Sequence, residues 1–455
     1  MKAQSASQLL IIFSLVLIEC IPSRAADTKI TVGPNIRVSA TNVRQAEPFI
    51  ATDPTDSNTL IISTSEVAEG LKSHGMLVQS YVSRDGGHAW SVSELPGMRE
   101  AAQSGKLETE LDNWIAFTPN GDVFLTSLPF TAEGNSPIYV FRSTDKGRTW
   151  NDPTVLADAG YDQPKTTTTL WDGKLRIYIA ASSRGVVLLS SDDNGQSFTT
   201  MGRIGPDNLE HQAMNPLVLA NGSVLLPYAD FPDPDRHRLN FSRIYVARSE
   251  DGGRTFSVPR FVADLSRPYP GCVRFATDLS AGKFRGNVYA SWNDGDFGPR
   301  LVKRGAERVR EESGNRREVA VARSSDGGMT WSAPANLRIE GRGASDLATL
   351  AVSPEGVLGV LWLQDERYES NSRCYRVWFA ASVDGGDTFS SPASVSDKPS
   401  CSDAKLNPEP FFTSRLKGGD YIGLAAAVDG TFHAAWIDAR DGAFRLYTAR
   451  VDVRR

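Results

Sequence analysis

One short pattern, Ser-x-Asp-x-Gly-x-x-(Trp or Phe), occurs six times in this chain and constrains its architecture before any other residue is read. The copies run Ser83 to Trp90, Ser143 to Trp150, Ser191 to Phe198, Ser249 to Phe256, Ser324 to Trp331 and Ser382 to Phe389. Their aspartates, Asp85, Asp145, Asp193, Asp251, Asp326 and Asp384, lie 60, 48, 58, 75 and 58 residues apart. That interval is the period of a four-stranded propeller blade with loops of variable length. The expected fold class is therefore all-β, built from repeated blades.

Each residue type in the pattern suits a tight turn. The aspartate accepts hydrogen bonds from backbone N–H groups of its own turn, and the glycine supplies a positive φ. The serine hydroxyl bonds locally to the backbone, and the closing aromatic covers apolar surface of the blade. None of this is chemistry on a substrate. The pattern resembles the Asp box, or bacterial neuraminidase repeat, of the sialidase superfamily. The resemblance implies that the six aspartates are structural and stand on the face opposite an active site.

Residues 1–25 carry Lys2, an apolar run from Leu9 to Ile18 and Ser23-Arg24-Ala25, the layout of a secretory signal. The expectation is cleavage near Ala25 or Ala26, then one propeller domain over 26–455, secreted or periplasmic, without a membrane span and monomeric. The net charge of −5 argues against a nucleic-acid partner. Cys374 and Cys401 flank one box and suit a disulfide, which leaves Cys272 as a buried free thiol. Five histidines, none at ligand spacing, give no zinc site. No cofactor motif is present. The pairs Asp294 with Asp296 and Asp233 with Asp235 read first as solvated loops, with a structural calcium as the alternative.

The blade grammar is clearest around the second box. Trp114 to Phe117, an Asn120-Gly121 turn, Val123 to Leu125 and Ile138 to Phe141 precede it, so the box joins strands three and four. After the sixth box the chain supplies three more strands and stops. The segment Ile30 to Ser39 offers the missing fourth, which closes a ring of seven blades; six blades with irregular ends are the alternative.

With the boxes at the bottom, the entries to the inner strands and the long loops between strands two and three lie at the top. Those entries bring Glu47, Asp112, Trp114, Asp162, Lys165, His211, Asn215, Arg274, Asp346, Asp420 and Tyr421 toward the axis, and the loops add Arg300 and Arg440. Carboxylates and guanidiniums around one mouth suit a sugar. Sialidases hold the substrate carboxylate with three arginines and use a tyrosine nucleophile helped by a glutamate, with an aspartate as acid/base. Set onto the residues at these strand entries, the resemblance suggests Tyr421 as nucleophile, Asp112 or Asp162 as acid, Glu47, Glu108 or Glu110 as its helper, and Arg274 joined by Arg440 or Arg300 as carboxylate ligands; the assignments follow from position, not from a motif. Trp114, His211, Asp346 and Asp420 complete the candidate subsite. The expected activity is sialidase-like hydrolysis of terminal acidic sugars. A non-catalytic glycan- or protein-binding propeller and a polysaccharide lyase using His211 with Arg274 are the alternatives.

Overall fold

The computed structural model describes residues 28–68, 75–157, 160–205, 211–230, 242–265, 273–295, 299–304, 307–312, 317–366, 374–403, 405, 407 and 417–455, with 299–312 described for the backbone alone. Seven antiparallel sheets follow one another along the chain, each entered by its inner strand. Blade one comprises Gln45–Asp53, Asp56–Val67, Met76–Ser83 and Ser91–Ser93, and blade two begins at Leu107–Phe117. The inner strands of blades three to six are Asp162–Trp171, His211–Ala213 with Leu217–Val218, Arg274–Thr277 and Ser345–Val352. Blade seven is Gly423–Ala426, Phe432–Asp438 and Arg445–Arg454.

The ring closes through the N-terminal segment. Lys29–Val32 pairs antiparallel with the last strand, Lys29 opposite Arg454, and Ile36–Arg37 adds a second short ladder on Tyr447 and Thr448. The expected single strand from Ile30 to Ser39 is broken at Gly33-Pro34 between these two ladders. Cys374 and Cys401 are joined by a disulfide and sit opposite one another in the same sheet. Cys272 and residues 1–27 lie outside the described residues.

Alternating apolar residues on the middle strands fill the spaces between blades, so seven clusters rather than one hold the ring. Trp292, Trp362 and Trp436 are fully buried in these layers and do not reach the mouth. Buried polar side chains tie neighbouring blades. Asn215 donates to the Phe275 carbonyl at 2.7 Å and accepts from its N–H at 3.1 Å, and Asn293 accepts from the Ala348 N–H at 3.0 Å.

All six box turns share one hydrogen-bond pattern. The serine hydroxyl donates to the aspartate at 2.7–2.8 Å and accepts from the glycine N–H at 2.7–2.9 Å. The aspartate also accepts the N–H four residues on, and in five boxes the hydroxyl of that residue as well. The first box has Ala89 there and lacks the second bond. Each turn connects the third strand of its blade to the outermost strand.

Candidate functional site

Four blades enter the axis by the same distortion. In each inner strand the register slips by a bulge, and the first looped-out residue takes a left-handed conformation. These residues are Glu47, Asp112, Gln163 and Leu347, with φ of 56°, 52°, 49° and 51°. Non-glycine residues avoid that region, so the surrounding structure holds them there. A bulge of this kind re-aims the side chains beside it, here at the top of the propeller axis.

Between these entries lies a narrow pocket lined by Asp112, Asn113, Trp114, Gln163, Lys165, Gln212, Arg274, Asp420 and Tyr421, with Pro164. Five blades contribute. Its cavity volume of about 20 Å³ has room for about one water molecule. Arg274 lines it. Its guanidinium carbon stands 5.1 Å from the centre of the Trp114 ring and 5.4 Å from that of Tyr421, a cation held by two aromatic faces.

Tyr421 is 8 % exposed, and its hydroxyl meets Asn113, whose backbone carbonyl and side-chain amide nitrogen are each 3.4 Å away. Burial, then the charges of Glu47 and Asp112, push the phenol well above its ordinary range, and Arg274 opposes them. Glu47 is buried at 2 % exposure. Its N–H donates to the Gly418 carbonyl at 3.0 Å, and its carbonyl accepts from the Asn113 amide at 3.0 Å. A Cβ on Gly419, where φ is 123°, would collide with the Glu47 side chain and stand 2.9 Å from its amide nitrogen. The Gly418-Gly419 pair therefore allows blade seven to approach blade one closely enough to bring Tyr421 beside Glu47.

The structure thus gathers Tyr421, Asp112, Arg274, Trp114 and Asp420 around one pocket, with Glu47 beside it. It places the other candidates elsewhere. Asp162 opens its strand at an exposed position and is not among the lining residues. His211 is buried and turned toward Asp230, its Nε2 3.0 Å from the carboxylate, so the neighbouring Gln212 lines the pocket instead. Arg440 is committed to blade seven. It pairs with Asp438 at 2.7 Å and with Asp397, donates to Asn35, and covers the Tyr447 ring at 4.7 Å.

Asp346 forms a second charged group with Arg317 at 3.1 Å and Lys417 at 3.5 Å, and Lys417 also pairs with Asp365 at 2.7 Å. Arg300 lies on the hairpin Pro299–Arg304 with Glu307–Glu312, where no side chain is described. Asp233, Asp235 and Asp296 lie outside the described residues, among which no group of three or more metal-ligating side chains occurs.

Sequence reasoning missed Asn113, Gln163 and Gln212 as candidates and named Lys165 only as a neighbour of the axis. Lys165 is buried and donates to the Ala213 carbonyl at 2.8 Å and to Gln163 at 3.1 and 3.2 Å. Gln212 donates to the Gln163 side chain at 2.5 Å. The signal that finds them is position: each falls where the aligned blades place Glu47 or its neighbours.

The chain matches the family of BNR repeat-like domains over residues 29–279. No curated protein matches it. Among solved structures it is similar to a protein of unknown function from Dyadobacter fermentans, at 13% identity over 93% of this chain and 99% of that one, with a TM-score of 0.49. It is also similar to the Hadza microbial sialidase Hz136, at 14% identity over 93% and 92% of the two chains, with a TM-score of 0.47. A third is the intramolecular trans-sialidase from Ruminococcus gnavus, at 13% identity over 89% and 94%, with a TM-score of 0.45.

Proposed function

The chain belongs to the BNR repeat-like family, and from that premise we propose that it is an exported glycoside hydrolase that cleaves a terminal acidic sugar, of the exo-sialidase type. The observation that carries this reading is the surroundings of Tyr421: a buried phenol between two carboxylates and a guanidinium, at the mouth of a propeller axis.

A phenol whose pKa is raised needs a base at the moment of attack. We assign that role to Glu47, whose charge acts on the phenol. As Tyr421 bonds to the anomeric carbon, its proton passes to Glu47, while the glycosidic bond breaks and Asp112 protonates the departing oxygen. Water then attacks the same carbon with Asp112 as base, and the released phenolate recovers its proton from Glu47. Arg274 offers a cation to the sugar carboxylate, and Trp114 an aromatic face to the ring. For a sugar to enter, Arg274 must leave its position between the two rings, since the pocket as it stands holds about one water.

The test is release of free sugar from a panel of sialosides and other acidic glycosides by the chain beginning at Ala26. Release that Tyr421→Phe abolishes, with the variant folded, supports the reading; release that this variant retains removes Tyr421 as nucleophile. A second reading, a non-catalytic glycan-binding propeller, is favoured by the small pocket and by the single arginine among its lining residues. It predicts glycan binding without turnover, unaffected by Tyr421→Phe. The lyase reading loses His211 as its base to Asp230. It would appear as an unsaturated uronate product absorbing in the ultraviolet.

A further inference from the structure

We propose that Lys417 is a positioning residue for Tyr421: its ion pairs with two carboxylates of blade six fix the start of the segment Gly418-Gly419-Asp420-Tyr421 and so aim the phenol at the axial pocket. For turnover this rests on the reading of Tyr421 as the nucleophile; for the place of the side chain it does not. The need for an anchor follows from the backbone. In blades one, two, three and six the bulged residue at the axis lies inside an inner strand, with paired residues on both sides. Blade seven differs. Its inner strand begins at Gly423, opposite Ala435, so Tyr421 stands two residues ahead of the ladder.

The segment's own backbone does little to hold it. Gly418 and Gly419 have φ of 79° and 123°, and glycine takes either sign of φ with similar ease. The Glu47 N–H donates to the Gly418 carbonyl at 3.0 Å, and at the far end the Tyr421 hydroxyl has contacts of 3.4 Å with Asn113, long for an O–H bond. The ring is buried in the apolar cluster that blades six and seven share, but apolar packing is non-directional and does not aim a hydroxyl.

Lys417 supplies the fixed end. Its ammonium stands 2.7 Å from Asp365 and 3.5 Å from Asp346, and Asp346 also meets Arg317 of blade five at 3.1 Å. The main chain of Asp365 is itself held: its N–H donates to the Ala344 carbonyl at 3.0 Å, and its carbonyl accepts from the Gly343 N–H at 2.9 Å. The Lys417 and Asp365 side chains are 14 % and 8 % exposed, so the pair is screened little by salt. Two cations face two carboxylates, a balanced group suited to holding rather than to binding a substrate acid. Burial raises the pKa of Asp365, and Lys417 is the largest influence opposing the rise. Loss of the ammonium therefore lets Asp365 take a proton rather than stand as a bare buried charge.

The test is fluorine NMR on the chain beginning at Ala26, labelled with 3-fluorotyrosine, in which the Tyr421 signal is the one lost in Tyr421→Phe. Lys417→Met keeps the apolar stem and removes the charge. It should shift or broaden the Tyr421 signal and leave those of Tyr139 and Tyr178, in blades two and three, in place. Lys417→Arg should keep the Tyr421 signal at its original position, and Asp365→Asn, which removes the other half of the pair, should displace it as Lys417→Met does. On a sialoside that the unmodified chain hydrolyses, Lys417→Met should lower kcat about tenfold or more with KM within a few-fold. A Tyr421 signal unmoved in Lys417→Met or in Asp365→Asn, a displacement in Lys417→Arg equal to that in Lys417→Met, movement of the Tyr139 and Tyr178 signals as well, or an unchanged kcat would overturn the proposal. An unmodified chain without turnover would sink the glycosidase reading alone, and the Tyr421 signal would still decide on Lys417.

Discussion

Asn113 joins three blades through one side chain. It is almost fully buried, accepts from the Ser63 hydroxyl, donates to the Glu47 carbonyl, and stands against the Tyr421 hydroxyl. Asn113→Ala would leave the Glu47 carbonyl and the Ser63 hydroxyl buried without this partner, at a cost of about 1–3 kcal/mol in stability. If Tyr421 is the nucleophile, the variant should lower kcat by about 10²-fold with KM within a few-fold; equal effects on both would assign Asn113 a purely structural role. Gly419→Ala tests the same geometry from the other side. The methyl group would displace Glu47, and, if Tyr421 is the nucleophile, turnover should fall with a changed pH profile as the readout. Glu47, Asp112, Arg274 and Tyr421 were legible in the sequence because each stands at a strand entry that the repeats align. Asn113 was not, since a buried amide among strand residues carries no pattern of its own. Arg440 looked available because Asp397 and Asn35, which hold it, lie far away in sequence.

The box turns were the most legible elements, because every residue in them acts within eight positions of chain. Their hydrogen bonds hold the aspartates below the ordinary carboxylate range; for Asp193 the Ser197 hydroxyl is the largest cause and the value is about 2. A depressed carboxyl stabilises the fold above its ordinary pKa of 3.8, and that contribution is lost as pH falls toward 2. Asp193→Asn should therefore flatten the fall in stability between pH 4 and 2, measured by urea unfolding across that window. The first box offers the converse change. Ala89→Thr restores the missing hydroxyl at an exposed position and should add roughly 0.5 kcal/mol; no rise in the unfolding midpoint would show that the hydroxyl contributes nothing there. The bulged entries were illegible as such. Glu47, Asp112, Gln163 and Leu347 share a backbone conformation without sharing chemistry, and none is the glycine that would have signalled a positive φ.

At the scale of the whole molecule the seven-bladed ring depends on one joint. Ile30 and Val32 pack against the cluster around Trp436 and Phe432, and their strand covers the edge of Arg445–Arg454. Deleting the chain through Gly33 would expose that edge, and the expected outcome is a lower unfolding temperature with self-association by size-exclusion chromatography. An unchanged unfolding temperature and unchanged elution after deletion would mean that the ring holds without its clasp. The seven-blade count was readable because strands could be tallied against boxes; which side chains meet across the axis was not, since that depends on the angle between blades. The clasp also sets an order in time. As the chain is made, the strand from Lys29 to Val32 comes before the other six blades and its partner after them, so those six blades are complete while the circle is still open. A product released early, lacking only the final strand, would carry both unpaired edges and would be the form most exposed to proteases and to its own copies.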